Sequence, residues 1–204
     1  MRSRRRAERQ RVTWQAVSFL LCYPDERLWE HRPLLRDALP STVPASRPHL
    51  AEFLTHLEST DPRSLAEHYV ATFDLRRRCC LYLTYYSDGD TRRRGEALAA
   101  LKQRYREAGV ELSEDELPDF LPVVAEFAAL HGGESLLVEH RAGMELLRMA
   151  LEDRGSPYAA VVRGLCASLP GSAPRDQAEA RRLAAAGPPA ENVGLEPFTP
   201  GGAR

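Results

Sequence analysis

The sequence is poor in cysteine and in long apolar runs, and each shortage excludes a class of protein. Four cysteines stand without C-x-x-C spacing: Cys22, Cys79, Cys80 and Cys166. Their spacing argues against a disulfide framework or a cysteine zinc site, and it favours a reducing compartment. The longest apolar stretch, residues 16–22, is too short to span a bilayer. We therefore expect a cytoplasmic protein with no stable membrane insertion.

The sequence also lacks an excess of either charge. Lysine plus arginine number 28 and aspartate plus glutamate number 29, giving a formal net charge of −1. No global field would then gather nucleic acid, so no nucleic-acid partner is expected. Hydrophobic residues make up 43% and charged residues 28% of the 204 residues, which is typical of one soluble globular domain.

Motifs of catalysis are absent as well. The sequence has no Gly-rich phosphate loop, no H-E-x-x-H, no G-x-S-x-G and no EF-hand pattern. The six histidines never stand three or four residues apart, the spacing that points two imidazoles at one metal. A carboxylate cluster at residues 114–119 is better explained by helix capping than by acid–base chemistry. We expect no catalytic residue, no bound metal and no cofactor, hence not an enzyme.

What the sequence does have is helical periodicity. Apolar residues recur at helical spacing in segments bounded by proline, glycine and capping residues: residues 12–22, 25–39, 50–57, 62–73, 91–109, 119–130, 134–152 and 157–169. Predicted caps are Asp25, Asp61, Asp119 and Ser156, and Gly109 is the predicted stop of the clearest helix. The pattern predicts an all-α fold, a single bundle of about seven or eight helices over residues 12–169.

Both ends are expected to be disordered. Residues 1–11 carry six arginines, and the segment that follows lacks the apolar region and cleavage site of an export signal. We interpret these residues as a solvated, disordered basic arm. Residues 170–204 are rich in proline and glycine, and their only plausible helix is residues 176–186. This segment is interpreted as a mostly disordered tail.

The segment at residues 74–95 is unusual because two arginine triplets flank several tyrosines. Basic plus aromatic residues are typical of nucleic-acid stacking surfaces. The same composition fits a loop and two helix ends whose guanidinium groups pair with the acidic cluster. The near-zero net charge favours the second interpretation.

Residues 74–95 also belong to a longer segment that resembles a known protein family. The run HYVATFDLRRRCCLYLTYYSDGDTRRRGEALAALKQRYREAGVELSEDELPDFLPVVAEFAAL, residues 68–130, closely resembles the NarJ family, the delta-subunit chaperones of respiratory nitrate reductase. FLLCYPDERLWE at 19–30 is similar to the family's opening helices, and VGLEPFTP at 193–200 is similar to the ending of its actinobacterial members.

The resemblance implies the all-helical molybdoenzyme-chaperone fold (TorD/DmsD/NarJ-like). It implies a system-specific chaperone that binds the N-terminal region of the apo nitrate reductase alpha subunit and keeps it competent for molybdenum cofactor insertion and complex assembly. Molybdenum cofactor biosynthesis proteins are further candidate partners. A same-fold chaperone for another molybdoenzyme is one alternative, and an RNA- or nucleotide-binding regulator using residues 74–95 is another.

The resemblance also implies a peptide-binding site. The family's Glu-x-Pro-Asp-His motif matches Glu116, Pro118 and Asp119, and its Tyr-x-x-x-Phe stripe matches Tyr69 and Phe73. The full set of candidate peptide-binding residues is Tyr69, Phe73, Tyr82, Tyr86, Arg92, Glu116, Pro118, Asp119 and Phe120. Phe120 replaces the family's histidine, so a role that needs an imidazole there is not expected. Two alternatives stay open for Asp119: binding a basic group of the peptide, or only capping its own helix.

The tail suggests a further hypothesis. Leu195 and Phe198 form a short apolar motif among prolines, suited to docking into a groove of the protein itself. Deleting residues 190–204 would then raise the affinity for the peptide.

Overall fold

The computed structural model describes residues 2–113 and 116–186, and the described chain consists of eleven α-helices with short connections. The helices are α1 (Arg2–Leu21), α2 (Glu26–Ala38), α3 (Arg47–Ser59), α4 (Pro62–Tyr69), α5 (Leu83–Asp88), α6 (Arg92–Glu107), α7 (Leu121–His131), α8 (Glu134–Glu139), α9 (Arg141–Glu152), α10 (Tyr158–Ser168) and α11 (Gln177–Ala186). The prediction of an all-α bundle is confirmed.

The first helix begins earlier than the sequence predicted. We expected residues 1–11 to be disordered, but α1 is helical from Arg2. The Gln10 side chain donates a 3.2 Å hydrogen bond to the carbonyl of Ser168, and the Arg11 guanidinium donates a 2.7 Å bond to the carbonyl of Ala129. These hydrogen bonds fix the chain ahead of the apolar segment. Because arginine is a good helix former, the helix continues from this anchored turn toward the N-terminus.

The core lies where α1 packs along α7 and α10, and where α10 packs on α3 and α9. Its centre is aromatic: the fully buried Tyr158 ring lies 4.8 Å from Phe53 and 4.9 Å from Phe73, measured between ring centroids. Leucines fill the surrounding space, among them Leu50, Leu54, Leu65, Leu137 and Leu147. Each fully buried leucine stabilises the fold by about 1.5–3 kcal/mol, so this apolar packing holds the bundle together.

Local sequence signals set several helix ends. The carboxylates of Asp25 and Asp61 accept hydrogen bonds from backbone amides in the first turns of α2 and α4, as predicted. Gly109 takes a left-handed conformation with φ of 75° just beyond α6, also as predicted. Ser156 is not the cap of α10, because its hydroxyl contacts the His68 ring at 2.9 Å instead.

Two other boundaries differ from the periodic pattern. The predicted single helix over residues 134–152 is divided at His140 into α8 and α9. A π-helical turn at residues 70–74 follows α4, within the segment that was predicted to be one helix to Phe73. Such π-helical turns inside helical segments are frequent at functional sites.

The bundle also extends further toward the C-terminus than predicted. The tail was taken to start at residue 170, but α11 packs against α9 and α5. Ala180 is fully buried and Ala184 nearly so. The small alanine side chains let α11 approach closely, and composition alone did not reveal that packing. The VGLEPFTP segment and the proposed docking of the tail lie outside the described residues.

Across residues 2–113 and 116–186, none of the helices has the combination of length and apolar character that crossing a membrane requires.

Candidate functional site

A cleft of about 170 Å³ lies between the end of α1, the start of α2 and the segment that leads into α7. The residues that line it, called the cleft below, are Ser18, Phe19, Cys22, Tyr23, Asp25, Arg27, Leu28, Glu116, Phe120, Pro122, Val123 and Glu126. Two distant parts of the sequence therefore form its walls, one from residues 18–28 and the other from residues 116–126.

The cleft combines apolar walls with an excess of negative charge. Three carboxylates line it, those of Asp25, Glu116 and Glu126, against the single guanidinium of Arg27. Within the part of the chain that the structure describes, none of these four groups forms an ion pair within 4 Å. Such a cleft can accept apolar side chains and attract a nearby positive charge.

Backbone pairing fixes Phe120 at the cleft. The Leu121 amide donates to the carbonyl of Leu81 at 2.8 Å, and the Leu83 amide donates to the carbonyl of Asp119 at 2.9 Å. Between these two bonds, Tyr82 and Phe120 form an antiparallel bridge, and their ring centroids lie 5.5 Å apart. Tyr82 thus supports the Phe120 ring from outside the cleft.

Asp119 lies beneath this bridge and is fully buried. Its Oδ2 atom accepts hydrogen bonds from the Thr84 amide, at 3.2 Å, and from the Thr84 hydroxyl. Thr84 is in the first turn of α5, so Asp119 caps that helix from 35 residues away. It does not cap its own helix: α7 begins after Phe120 without a side-chain cap. The alternative in which Asp119 only caps its own helix, α7, is therefore wrong.

Arg94, whose side chain is partly exposed, joins Asp119 and Thr84. Its Nε atom donates to the Thr84 hydroxyl oxygen at 3.2 Å, and its Nη2 atom lies 3.7 Å from Asp119 Oδ2. The guanidinium carbon is 5.9 Å from the centroid of the Tyr82 ring. Arg94, a member of the second arginine triplet, therefore pairs with Asp119 of the carboxylate cluster at residues 114–119. The sequence singled out Arg92, whose side chain is exposed, and missed Arg94.

The Tyr-x-x-x-Phe stripe lies in the core. The Tyr69 hydroxyl donates a 3.0 Å hydrogen bond to the carbonyl of Leu21, and Phe73 packs against Tyr158. Burial raises the pKa of Tyr69 far above its usual range, so this hydroxyl stays protonated. The Tyr69 ring meets Tyr23 edge-on at 5.5 Å. Because Tyr23 lines the cleft, Tyr69 supports one wall from behind and is not itself among the lining residues.

Of the remaining candidates, one lines the cleft and the others lie outside it. Glu116 is exposed and lines the cleft, whereas the buried Pro118 accepts a 2.9 Å hydrogen bond from the Tyr105 hydroxyl through its carbonyl. Tyr86 lies elsewhere, with its hydroxyl donating to the carbonyl of Cys80 at 2.9 Å. Of the nine candidate residues, the structure brings Glu116 and Phe120 into the cleft.

The sequence did not reveal the opposite wall at residues 18–28. Tyr23, Asp25 and Arg27 on that wall were not named as site residues, although the FLLCYPDERLWE resemblance covered them. Glu126, on the same wall as Glu116 and Phe120, was not named either. That resemblance was the available signal, since no local pattern shows that residues 18–28 face residues 116–126.

Cys22 provides a chemical probe of the cleft. Its side chain is exposed there, yet the surrounding protein atoms desolvate the thiolate and the Glu126 carboxylate opposes it. Together these effects raise the pKa of Cys22 to about 11.

Among residues 2–113 and 116–186, no group of three histidine, cysteine or acidic side chains is arranged to hold a metal.

His140, at the junction of α8 and α9, makes stability depend on pH. Burial lowers the pKa of His140 below its usual value, partly offset by the charge of Glu139. The unfolded chain therefore binds a proton more readily than the native state does. The contribution of neutral His140 to the free energy of unfolding is therefore present above about pH 6.5. It is lost progressively as the pH falls below that value.

Urea unfolding at pH values of about 7.5, 6.5 and 5.5, which span the usual histidine pKa, measures this loss. We expect His140→Asn to flatten the pH dependence, and His131→Asn, at an exposed position, to leave it as in the unmodified chain. Burial also lowers the pKa values of His49 and His68, so part of the slope remains. An identical slope in the His140→Asn variant would contradict this assignment.

The fold has a counterpart among solved structures. An Archaeoglobus fulgidus protein assigned to redox enzyme maturation matches with a TM-score of 0.59 and 22% sequence identity, over 76% of this chain and 90% of that one. The class that the architecture defines is therefore the all-helical fold of that maturation protein.

Within that class, the chain belongs to the nitrate reductase delta subunit family, whose model matches residues 36–163. It is 35% identical to the probable nitrate reductase molybdenum cofactor assembly chaperone NarJ of Bacillus subtilis, over 82% of this chain and 94% of that one. It is also 35% identical to the chaperone NarJ of Escherichia coli, over 70% of this chain and 63% of that one. The match to the nitrate reductase-like protein NarX of Mycobacterium tuberculosis is 40% identical, and it spans about a quarter of that relative's length (24%).

Proposed function

We propose that this protein is a cytoplasmic assembly chaperone for a molybdenum-containing nitrate reductase. In this proposal the cleft binds the N-terminal region of the apo alpha subunit and keeps that subunit competent for molybdenum cofactor insertion. Membership of the delta subunit family and relatives named as assembly chaperones support the chaperone role. The chain itself contributes binding and no catalytic step.

The observation that carries the peptide-binding part is the composition of the cleft. Phe19, Phe120 and Val123 offer apolar contact, and the carboxylates of Asp25, Glu116 and Glu126 outnumber Arg27. Burying one apolar side chain contributes about 2 kcal/mol, whereas an exposed carboxylate–guanidinium pair contributes less than about 1 kcal/mol. Apolar contact therefore supplies most of the affinity, and the carboxylates orient the peptide by its basic residues.

Because Asp119 is buried, other carboxylates contact the basic residues of the peptide in the proposed complex. The sequence left Asp119 as a candidate partner of the peptide, but its carboxylate is buried against Thr84 and Arg94. Glu116 and Glu126 are at the cleft instead. In the proposed complex Asp119 acts as a positioning residue, since it holds the segment that presents Phe120.

A calorimetric titration tests the proposal. The ligand is a peptide of about 20 residues from the N-terminus of a nitrate reductase alpha subunit, long enough to form a helix or lie extended in the cleft. We expect saturable binding that weakens strongly when the apolar residues of the peptide become serine, and only mildly when its arginines become glutamine.

A matched peptide from a different molybdoenzyme is the control for specificity. Equal affinity for that peptide would contradict assignment to nitrate reductase while leaving a same-fold chaperone role. No binding of either peptide would contradict the proposed use of the cleft.

A further inference from the structure

A second depression, of about 420 Å³, is lined by four arginines among its nine residues. We call it the arginine depression; it is formed by Arg76, Arg77, Arg78, Asp153, Arg154 and Gln177, with Leu75, Cys79 and Ala150. Three separate parts of the chain meet there: the loop after Asp74, the end of α9 and the start of α11. It has no lining residue in common with the cleft.

The arginine depression concentrates positive charge in a protein whose net charge is −1. Four guanidinium groups line it against the one carboxylate of Asp153. Arg77 lies 3.9 Å from an oxygen of Asp90, but Arg76, Arg78 and Arg154 make no ion pair within the described residues. Like charges gathered in one concavity repel each other, and an anion bound between them would relieve that repulsion.

The arginine depression continues into a second concavity with which it shares Arg78, Ala150 and Gln177. This extension adds a more apolar surface from Tyr85 and Leu146. It also adds one group of each charge, the guanidinium of Arg181 on α11 and the carboxylate of Asp90. Docking of α11 against α9 and α5 forms both concavities, because Gln177 and Arg181 come from that helix. One end of the combined site is cationic, and the other offers an aromatic ring.

We propose that the arginine depression binds a small phosphorylated compound that carries a planar ring. The phosphates contact Arg76, Arg78 and Arg154, whose planar guanidinium groups match phosphate oxygens in pairs. The ring lies against Tyr85 and Leu146. A volume of about 420 Å³ is in the range of small-ligand sites. The net charge of −1 argues against a surface that gathers a nucleic-acid strand.

Equilibrium binding to the full-length protein tests this inference, with ATP, GTP, inorganic triphosphate and adenosine as probes at constant ionic strength. We expect a nucleoside triphosphate to bind more tightly than inorganic triphosphate, and adenosine to bind weakest. The double variant Arg78→Gln/Arg154→Gln should weaken triphosphate binding by about a hundredfold, because each guanidinium that is removed takes away charge-assisted hydrogen bonds that contribute about tenfold in affinity. Tyr85→Ala should weaken ATP binding without affecting inorganic triphosphate.

The matched control is Arg36→Gln/Arg63→Gln, which removes the same charge at exposed positions on α2 and α4. An equal reduction of affinity in the control, or no binding of any phosphorylated probe, would overturn the inference. Tighter binding of a short RNA than of ATP would overturn it in favour of a nucleic-acid surface. Peptide binding in the cleft, measured on the same variants, is expected to stay unchanged, so the two sites are tested separately.

Discussion

Replacing Asp119 by alanine is expected to lower the free energy of unfolding by about 3 kcal/mol, the typical effect of breaking a buried charged pair. The substitution leaves the Thr84 amide and hydroxyl without their acceptor, and it leaves Arg94 without one of its partners. It also loosens the junction between α5 and the segment before α7. Urea unfolding followed by circular dichroism measures the change.

A double-mutant cycle separates this mechanism from a general effect of the substitution. If Asp119 acts through Thr84, then Asp119→Ala and Thr84→Ala together should destabilise the protein by clearly less than the sum of the single changes. Glu116→Ala is the control, because Glu116 is an exposed carboxylate only three residues away. Additive effects of the two substitutions would show that Asp119 does not act through Thr84.

Replacing Phe120 by alanine is expected to weaken peptide binding by about thirtyfold, which corresponds to about 2 kcal/mol, the effect of removing a central aromatic side chain from an interface. The Phe120 ring lines the cleft on one side and meets Tyr82 on the other. Its partial exposure means that the fold should tolerate the change better than removal of a core ring. Calorimetric titration with the alpha-subunit peptide measures the change.

The control for Phe120 is Leu34→Ala on α2, which removes a leucine side chain that is 64% exposed and does not line the cleft. It should bind the peptide as tightly as the unmodified protein does. Thermal unfolding of both variants shows whether they are folded. If the folded Phe120→Ala protein bound the peptide normally, the cleft would not be the peptide site.

The features that the sequence predicted correctly are set by neighbouring residues. Asp25, Asp61 and Gly109 each act within a few positions of the helix end that they define, so their roles are visible in a short window. The helical class followed from apolar periodicity for the same reason. These signals depend on local geometry and need no knowledge of the tertiary structure.

The features that the sequence misplaced depend on contacts between distant residues. Asp119 caps α5 and not α7, and nothing in residues 116–122 indicates Thr84 as its partner. A helix was expected at residues 176–186, but its packing onto the bundle was not, because its burial rests on two small alanines that meet α9 and α5. Arg94 was indistinguishable from Arg92 by composition; only the direction of its side chain separates them.

The candidate site shows the same division. The family resemblance placed Glu116 and Phe120, which the structure brings to the cleft. It also placed Tyr69 and Phe73, which pack in the core behind it. The facing wall at residues 18–28 lies about a hundred positions earlier in the chain, so its contribution became apparent only from the packing of α1 against α7.

Occupation of the cleft can be measured directly through Cys22. Cys79 and Cys166 are buried, whereas Cys22 is exposed at the cleft, and its pKa of about 11 makes its reaction with a maleimide slow enough to follow. The rate at this residue is read by mass spectrometry, with and without a saturating concentration of the alpha-subunit peptide. We predict that the peptide slows modification of Cys22 severalfold and leaves Cys80 unaffected. An unchanged rate at Cys22, under conditions where calorimetry shows the peptide bound, would contradict binding in the cleft.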